Sequence, residues 1–254
     1  MPDFSDPLLL LEGAEENIGK LEKVFEEVIS ENRARIVFDK LKNGNKKYKI
    51  ILEKNIPNSA RLILVSIIND LRHSLDQACC IAYEYVSEEE APANLYFPFA
   101  STPGDLEKRL EKSFPAGRFP TELHDAILST RPYYSDDSHE AGNRHLCWLS
   151  KVAQRKHRLV VKLGVNCRAW REGMCQFHKI VGGLDLPPQW DPVRDEMILC
   201  TTAPDGGVEV NDVQLDVFAA LYSTGVVDGF SAIDTLKNFF FEAKTAVLAI
   251  QDCF

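Results

Sequence analysis

No CxxC pair, no HExxH, no glycine-rich dinucleotide or P-loop signature and no GxSxG elbow occurs in the 254 residues. The marks of a zinc protein, of a familiar nicotinamide or ATP enzyme and of a serine hydrolase are therefore missing. Long apolar runs are missing too: no stretch of eighteen apolar residues is present, so no membrane span is expected. The opening MPDFSDPLLLLEG is acidic, and its apolar run is only four leucines. It reads as neither a secretory h-region nor a membrane anchor. The seven cysteines, at positions 79, 80, 147, 167, 175, 200 and 253, follow no repeated spacing. With that start they read as reduced thiols of a cytoplasmic protein. Positive charge is in short supply: the formal net charge is −9, which argues against a general nucleic-acid coat but leaves room for a local basic patch.

The chain is 45% hydrophobic, enough for a substantial core. The longest helical signal is Ser59 to Val86. On a wheel of about 100° per residue, Leu64, Leu71, Leu75, Cys79 and Ala82 gather around Ile68 as a core-facing stripe. Arg72 lies only about 40° from Ile68, inside the stripe's edge, and Asp76 and Asn69 lie just beyond. A charged group there needs a partner, and Asp76, one turn on, is the nearest. The simplest reading is an arginine that covers apolar surface with its stem and pairs with Asp76. A specific role for the pair, or a place in an interface, are the alternatives.

Along the rest of the chain, Glu15 to Asp39 reads as one helix, with Asn43, Gly44 and Asn45 as a turn and Tyr48 to Leu52 as a strand. Ser101 and Thr102 can cap a helix that opens at Pro103 and runs to about Phe114, and Pro120 and Thr121 open another that ends at Arg131, Pro132 and Tyr133. Ser135 to Asn143 is a polar loop, and His145 to Ala153 a helix. Alternation then sets in. Strands are expected at Leu159 to Val165, Cys175 to Val181, Glu196 to Thr201, Val208 to Val210 and Val213 to Tyr222, with hairpin turns at Asp205 to Gly207 and at Asn211 and Asp212. Ser231 to Gln251 closes the chain as a helix whose stripe, from Ile233 to Ile250, is widened by Phe239 and Phe241. The expected class is α+β: a long-helix bundle of N-terminal, central and C-terminal helices with an attached antiparallel sheet. One cooperative unit, 1–254, is expected, its helical part near 12–155 and 231–254 and its β-rich part near 157–222.

A second cluster, Gln154-Arg155-Lys156-His157-Arg158, sits where helix gives way to strand. Cations at a helix end interact well with its dipole. They also offer a phosphate or carboxylate site, arginine as a bidentate fork. The ligand-binding candidates are Asn69, Arg72, Asp76, Lys156, His157 and Arg158. Arg72 and His157 form an acid–base pair only where the helix face and the junction share one phosphate. His145, Cys147 and His157 lack metal-ligand spacing, and His124, His139 and His178 read as ordinary surface or core histidines. Neither metal nor cofactor is expected.

Asn69 to Gln77, NDLRHSLDQ, resembles the N-L-R-S-A-L-D-H helix motif of a widespread group of uncharacterised bacterial proteins. Phe97-Pro98-Phe99 is similar to that group's F-P-I or F-P-F step, Arg131-Pro132-Tyr133 to its Q-P-Y step, and Lys156-His157-Arg158 to its D-K-H-R segment, with Arg155 in place of the aspartate. The resemblance runs from about residue 15 to 250 and implies an architecture without a chemistry. More distantly the chain resembles HEPN-type helical domains, whose ribonuclease members use an arginine and a histidine a few residues apart. Arg72 matches that arginine, but Gln77 occupies the histidine position and the adjacent His73 has the wrong spacing. These readings converge on a cytoplasmic helical binding or scaffolding protein, with a homodimer as one partner that the apolar final helix admits. The alternatives are a HEPN-related ribonuclease in a toxin or phage-defence setting, with RNA as partner, and a sensor of an anionic small molecule.

Overall fold

The computed structural model describes residues 1–134, 142–169, 175–183, 188–210, 214–223 and 225–254. The architecture is mixed α+β, with long helices near both ends of the chain and antiparallel strand pairing. The chain divides into two compact units, one of Met1–Glu22, Asn58–Val160 and Leu221–Phe254, the other of Lys23–Pro57 and Val161–Ala220.

The first unit is helical. Helix α1 (Ser5–Ser30) starts ten residues earlier than its apolar spacing predicts. Asp3 accepts the Ser5 N–H at 2.9 Å, and Leu11, Ala14, Ile18 and Leu21 then bury one stripe. Helix α2 (Asn58–Ser87) buries the expected stripe completely, with Leu64, Ile68, Leu71, Leu75, Cys79 and Ala82 all at 0% exposure. Of the two cap candidates of helix α3 (Pro103–Ser113), Thr102 serves: its Oγ1 accepts the Asp105 N–H at 3.2 Å, with Pro103 in the first turn. Helices α4 (Thr121–Ser129), α5 (Arg144–Gln154) and α6 (Ala232–Gln251) complete the set among the described residues. Asn143 caps α5 by accepting the Leu146 N–H at 3.1 Å. Helix α6 packs along α2, and α5 packs against both. Phe239 is buried on α6, but Phe241, expected on the same stripe, is 65% exposed. Two residues further along a helix is about 200° around it, which turns the side chain to solvent.

The second unit is mostly β. The expected helix from Glu15 to Asp39 is corrected here: it stops at Ser30, and Ala34–Lys40 is strand β1. Asn32 explains the break. Its Oδ1 accepts the Glu53 and Lys54 N–H groups, and its Nδ2 donates to the Lys54 carbonyl, which clamps the chain end of the hairpin. β-Branched Ile36 and Val37 and aromatic Phe38 favour extended backbone, and β1 pairs in antiparallel register with β2 (Lys46–Leu52). The turn between them falls where expected, with Gly44 at φ +84°. Strands β3 (Val160–Ala169), β4 (Cys175–Ile180), β5 (Trp190–Asp191), β6 (Glu196–Val210) and β7 (Gln214–Ser223) follow, and β8 (Val227–Ser231) belongs to the first unit. One sheet has the order β1-β2-β6-β4, with β5 also on β6; the other has the order β3-β7-β8. The short strands β5 and β8 have no counterpart in the expected pattern. Ile50, Val165, Met197 and Leu199 form the buried core of this unit, flanked by Tyr48, Trp190 and Val217. Strand β1 is an edge, and only Val37 along it is more than slightly covered.

The expected hairpin turn at Asp205 to Gly207 is also corrected. β6 runs unbroken through it and pairs with β4, with a register shift between His178 and Ile180. Gly206 permits close approach, not reversal: a Cβ there meets the His178 carbonyl oxygen at 2.5 Å and Thr202 Cβ at 2.8 Å. The other proposed turn, at Asn211 and Asp212, lies outside the described residues, as do His139 and most of the Ser135–Asn143 loop.

These contacts predict an asymmetry between adjacent glycines. Gly206→Ala should cost about 1–3 kcal/mol through overpacking. Gly207→Ala, where a Cβ meets nothing within 4 Å, should cost less than about 1 kcal/mol. Urea denaturation of the two variants checks it; equal losses would remove the close-approach explanation.

Candidate functional site

The polar seam of α2 is an ion pair held in a defined geometry. The Arg72 fork grips Asp76 twice: Nη2 lies 3.0 Å from Oδ1 and Nε donates to Oδ2 at 3.0 Å. The one-turn spacing expected from the sequence makes this possible, and the two side chains are only 18% and 16% exposed. Asp76 Oδ1 also accepts the Phe97 N–H at 2.9 Å. The Arg72 guanidinium lies over the Phe99 ring, 4.2 Å from its centroid. Arg72 Nη1 is buried with no hydrogen-bond partner among the described residues. Burial raises the Asp76 carboxyl above its ordinary pKa, the Arg72 charge and the Phe97 N–H offsetting only part of it. Burial likewise lowers the Arg72 guanidinium. Desolvation thus outweighs attraction for both partners, so the pair's contribution is orientation more than net stabilisation. On the same helix, complete burial pushes the Cys79 thiol well up, which makes it an inert packing group.

Four segments singled out in the sequence meet here. Asp76 and Arg72 hold Phe97 and Phe99 of the Phe-Pro-Phe step. The next residue, Ala100, donates its N–H to the Pro132 carbonyl at 2.9 Å, which brings in the Arg131-Pro132-Tyr133 step. One turn before Arg72, Asn69 Oδ1 accepts from Lys156 Nζ at 3.0 Å. The α2 face and the basic junction therefore touch, at Asn69 and Lys156. The junction is a 3-10 turn, Lys156–Arg158, with Lys156 and Arg158 exposed. His157 is part of that turn, and its side chain lies outside the described set. Gln77 and His73 are both exposed.

Sequence reasoning missed what this clamp supports. The segment fixed by Asp76 forms one wall of a cleft of about 490 Å³, lined also by Tyr83 of α2, Arg109, Lys112 and Ser113 of α3, and Arg118. No carboxylate lines it. The one available signal was the three-residue spacing of Arg109 and Lys112, which puts them on one helix face. A second hollow, about 430 Å³, lies at the start of α5 between Arg131, Arg144, His145 and Glu242. Its Glu242 is held by Asn143 Nδ2 at 2.6 Å. Burial and then Arg144 lower the His145 pKa, with Glu242 opposing them.

Among the described residues, no group of three His, Cys, Asp or Glu side chains is placed to hold a metal ion. No helix among them is long and apolar enough to cross a membrane. Compared with known protein families, curated proteins and solved structures, the chain matches none.

Two measurements probe the clamp. Arg72→Ala should cost about 2–4 kcal/mol by stranding a largely buried carboxylate. It should cost less in an Asp76→Ala background, and a double-mutant cycle with no coupling would dissolve the pair as a unit. The pH dependence has a definite sign. The folded state holds the Asp76 proton more tightly than the unfolded chain does, so this residue's contribution falls as pH rises through its raised folded value. The stability difference between wild type and Asp76→Asn should therefore shift in favour of wild type as pH falls, in urea titrations from neutral pH down into the carboxylate range.

Proposed function

We propose that the chain is a binding protein for a small anionic ligand, with the α2 seam as a positioning element and not a cleavage site. The observation that carries this reading is the use to which Arg72 is put. One edge of its guanidinium is taken by Asp76 and its flat surface by Phe99, which leaves only the buried Nη1 without a partner among the described residues. A guanidinium committed in this way stabilises a developing phosphorane poorly, and the position of the ribonuclease histidine holds an exposed glutamine, Gln77. The segment that the pair holds in place is instead a wall of the cationic cleft. Concave sites with a few convergent polar groups are the usual seats of small ligands. A cation-lined cleft draws anions locally even in a chain of net charge −9.

Thermal-shift measurements with inorganic phosphate, pyrophosphate, nucleotides and phosphorylated metabolites test the reading. A ligand present at about a hundred times its Kd should stabilise the fold by about 2.7 kcal/mol, a rise of several degrees. No stabilisation by any anion would reject it. In parallel, single-stranded RNA and tRNA are incubated with wild type, Arg72→Ala and His157→Ala. Equal, negligible turnover by all three is expected. Cleavage by wild type that both substitutions abolish would restore the ribonuclease reading in its place.

A further inference from the structure

We propose that the cleft between α2, residues 94–98 and α3 binds a phosphorylated ligand that carries a flat ring, of the size of a nucleoside mono- or diphosphate. This rests on the small-anion reading above and assigns it a site and a ligand class.

The two walls of the cleft differ in chemistry. One is cationic. Arg109 and Lys112 project from the same face of α3, and among the described residues neither makes an ion pair. Arg118 completes the set from the loop beyond, where Gly117 at φ +84° turns the chain. Of the neighbouring acids, both Glu111 carboxylate oxygens accept the Ala116 N–H, while Glu89 pairs with Arg118 of the cleft itself. That last pair, at 2.8 Å, is exposed on both sides, so it exchanges readily for a phosphate. Two arginines offer bidentate forks and one lysine a point charge, the usual equipment for phosphate oxygens.

The other wall carries no charge. It runs through Asn94, Leu95, Tyr96, Phe97 and Pro98, with Tyr83 of α2 beside it. Two of its backbone donors are committed: the Leu95 N–H donates to the Pro92 carbonyl and the Phe97 N–H to Asp76. The wall also offers a ligand two exposed side chains, Asn94 and Tyr96. Tyr96 is 55% exposed and provides a ring face for stacking. Asn94 provides an amide that donates to and accepts from the polar edge of a heterocycle. A bare phosphate would use only the cationic wall. The volume, about 490 Å³, lies within the range that holds a drug-sized ligand. The glycine-rich loops that usually cradle nucleotides are absent from this chain, so the phosphates here are met by side chains.

Calorimetric titration of the full chain at low salt with ADP, adenosine and pyrophosphate tests the proposal. ADP should bind, and pyrophosphate and adenosine should each bind about tenfold more weakly or less. Arg109→Ser combined with Lys112→Ser, both exposed and so neutral to folding, should weaken ADP and pyrophosphate by about tenfold or more. Tyr96→Ala should weaken ADP by about tenfold and leave pyrophosphate unchanged. Equal binding of ADP and pyrophosphate, indifferent to Tyr96→Ala, would overturn the ring half of the proposal and leave the small-anion reading standing. ADP binding that the Arg109 and Lys112 substitutions do not touch would move the site elsewhere and overturn the assignment alone. No binding by any of the three would overturn the proposed ligand class, while the wider thermal-shift panel still decides the small-anion reading independently.

Discussion

A single carboxylate oxygen joins two parts of the helical unit. Asp76 Oδ1 receives the Arg72 guanidinium from its own helix and the Phe97 N–H from a segment twenty-one residues on. The first contact sets the rotamer of Asp76, and the second converts that rotamer into a position for the following chain. From there the order propagates: Phe99 is fixed under Arg72, and Ala100 reaches the Pro132 carbonyl. Buried ion pairs are poor sources of stability, because desolvation consumes most of the attraction. Their value lies in geometry, since an unpaired charge makes every alternative arrangement of the same segment worse.

That chain of contacts was only half legible beforehand. The helical period of α2 placed Arg72 at the edge of the buried stripe and Asp76 one turn beyond, and the two do pair as their spacing requires. The Phe97 N–H was invisible, because a backbone donor has no sequence signature and its acceptor was chosen by tertiary folding. The cleft was hidden for the same reason. Arg109 and Lys112 read as ordinary surface cations of a short helix until α2 and residues 94–98 are set opposite them. The contact between Asn69 and Lys156 shows the reverse case: two segments singled out separately prove to be neighbours.

The β-rich unit was misread where two periods overlap. After Ile29, the apolar residues Ile36 and Val37 continue a helical spacing well enough to hide a strand. Asn32, which ends the helix and staples the hairpin with three hydrogen bonds, carries the decisive information in a side chain that also suits a helix surface. The glycines of β6 misled for a different reason. An Asp-Gly-Gly sequence is a strong turn signal, but Gly206 is needed because the His178 carbonyl passes too close for any side chain. Backbone reversal and backbone proximity leave the same mark in a sequence.

The position of β1 has a consequence for solubility. A seven-residue edge strand with Ile36 and Phe38 exposed is a template for pairing with another chain, the first step of cross-β aggregation. This hairpin carries Arg33, Arg35, Lys40, Lys42, Lys46, Lys47, Lys49 and Lys54 against only Asp39 and Glu53. On β1 itself Arg35, Asp39 and Lys40 are charged, and Lys47 and Lys49 of β2 pair with Glu196 and Asp39, so the edge is charged but not of one sign. A second strand pairing there would have to strip water from these charged groups, and that cost is a guard against edge-to-edge association.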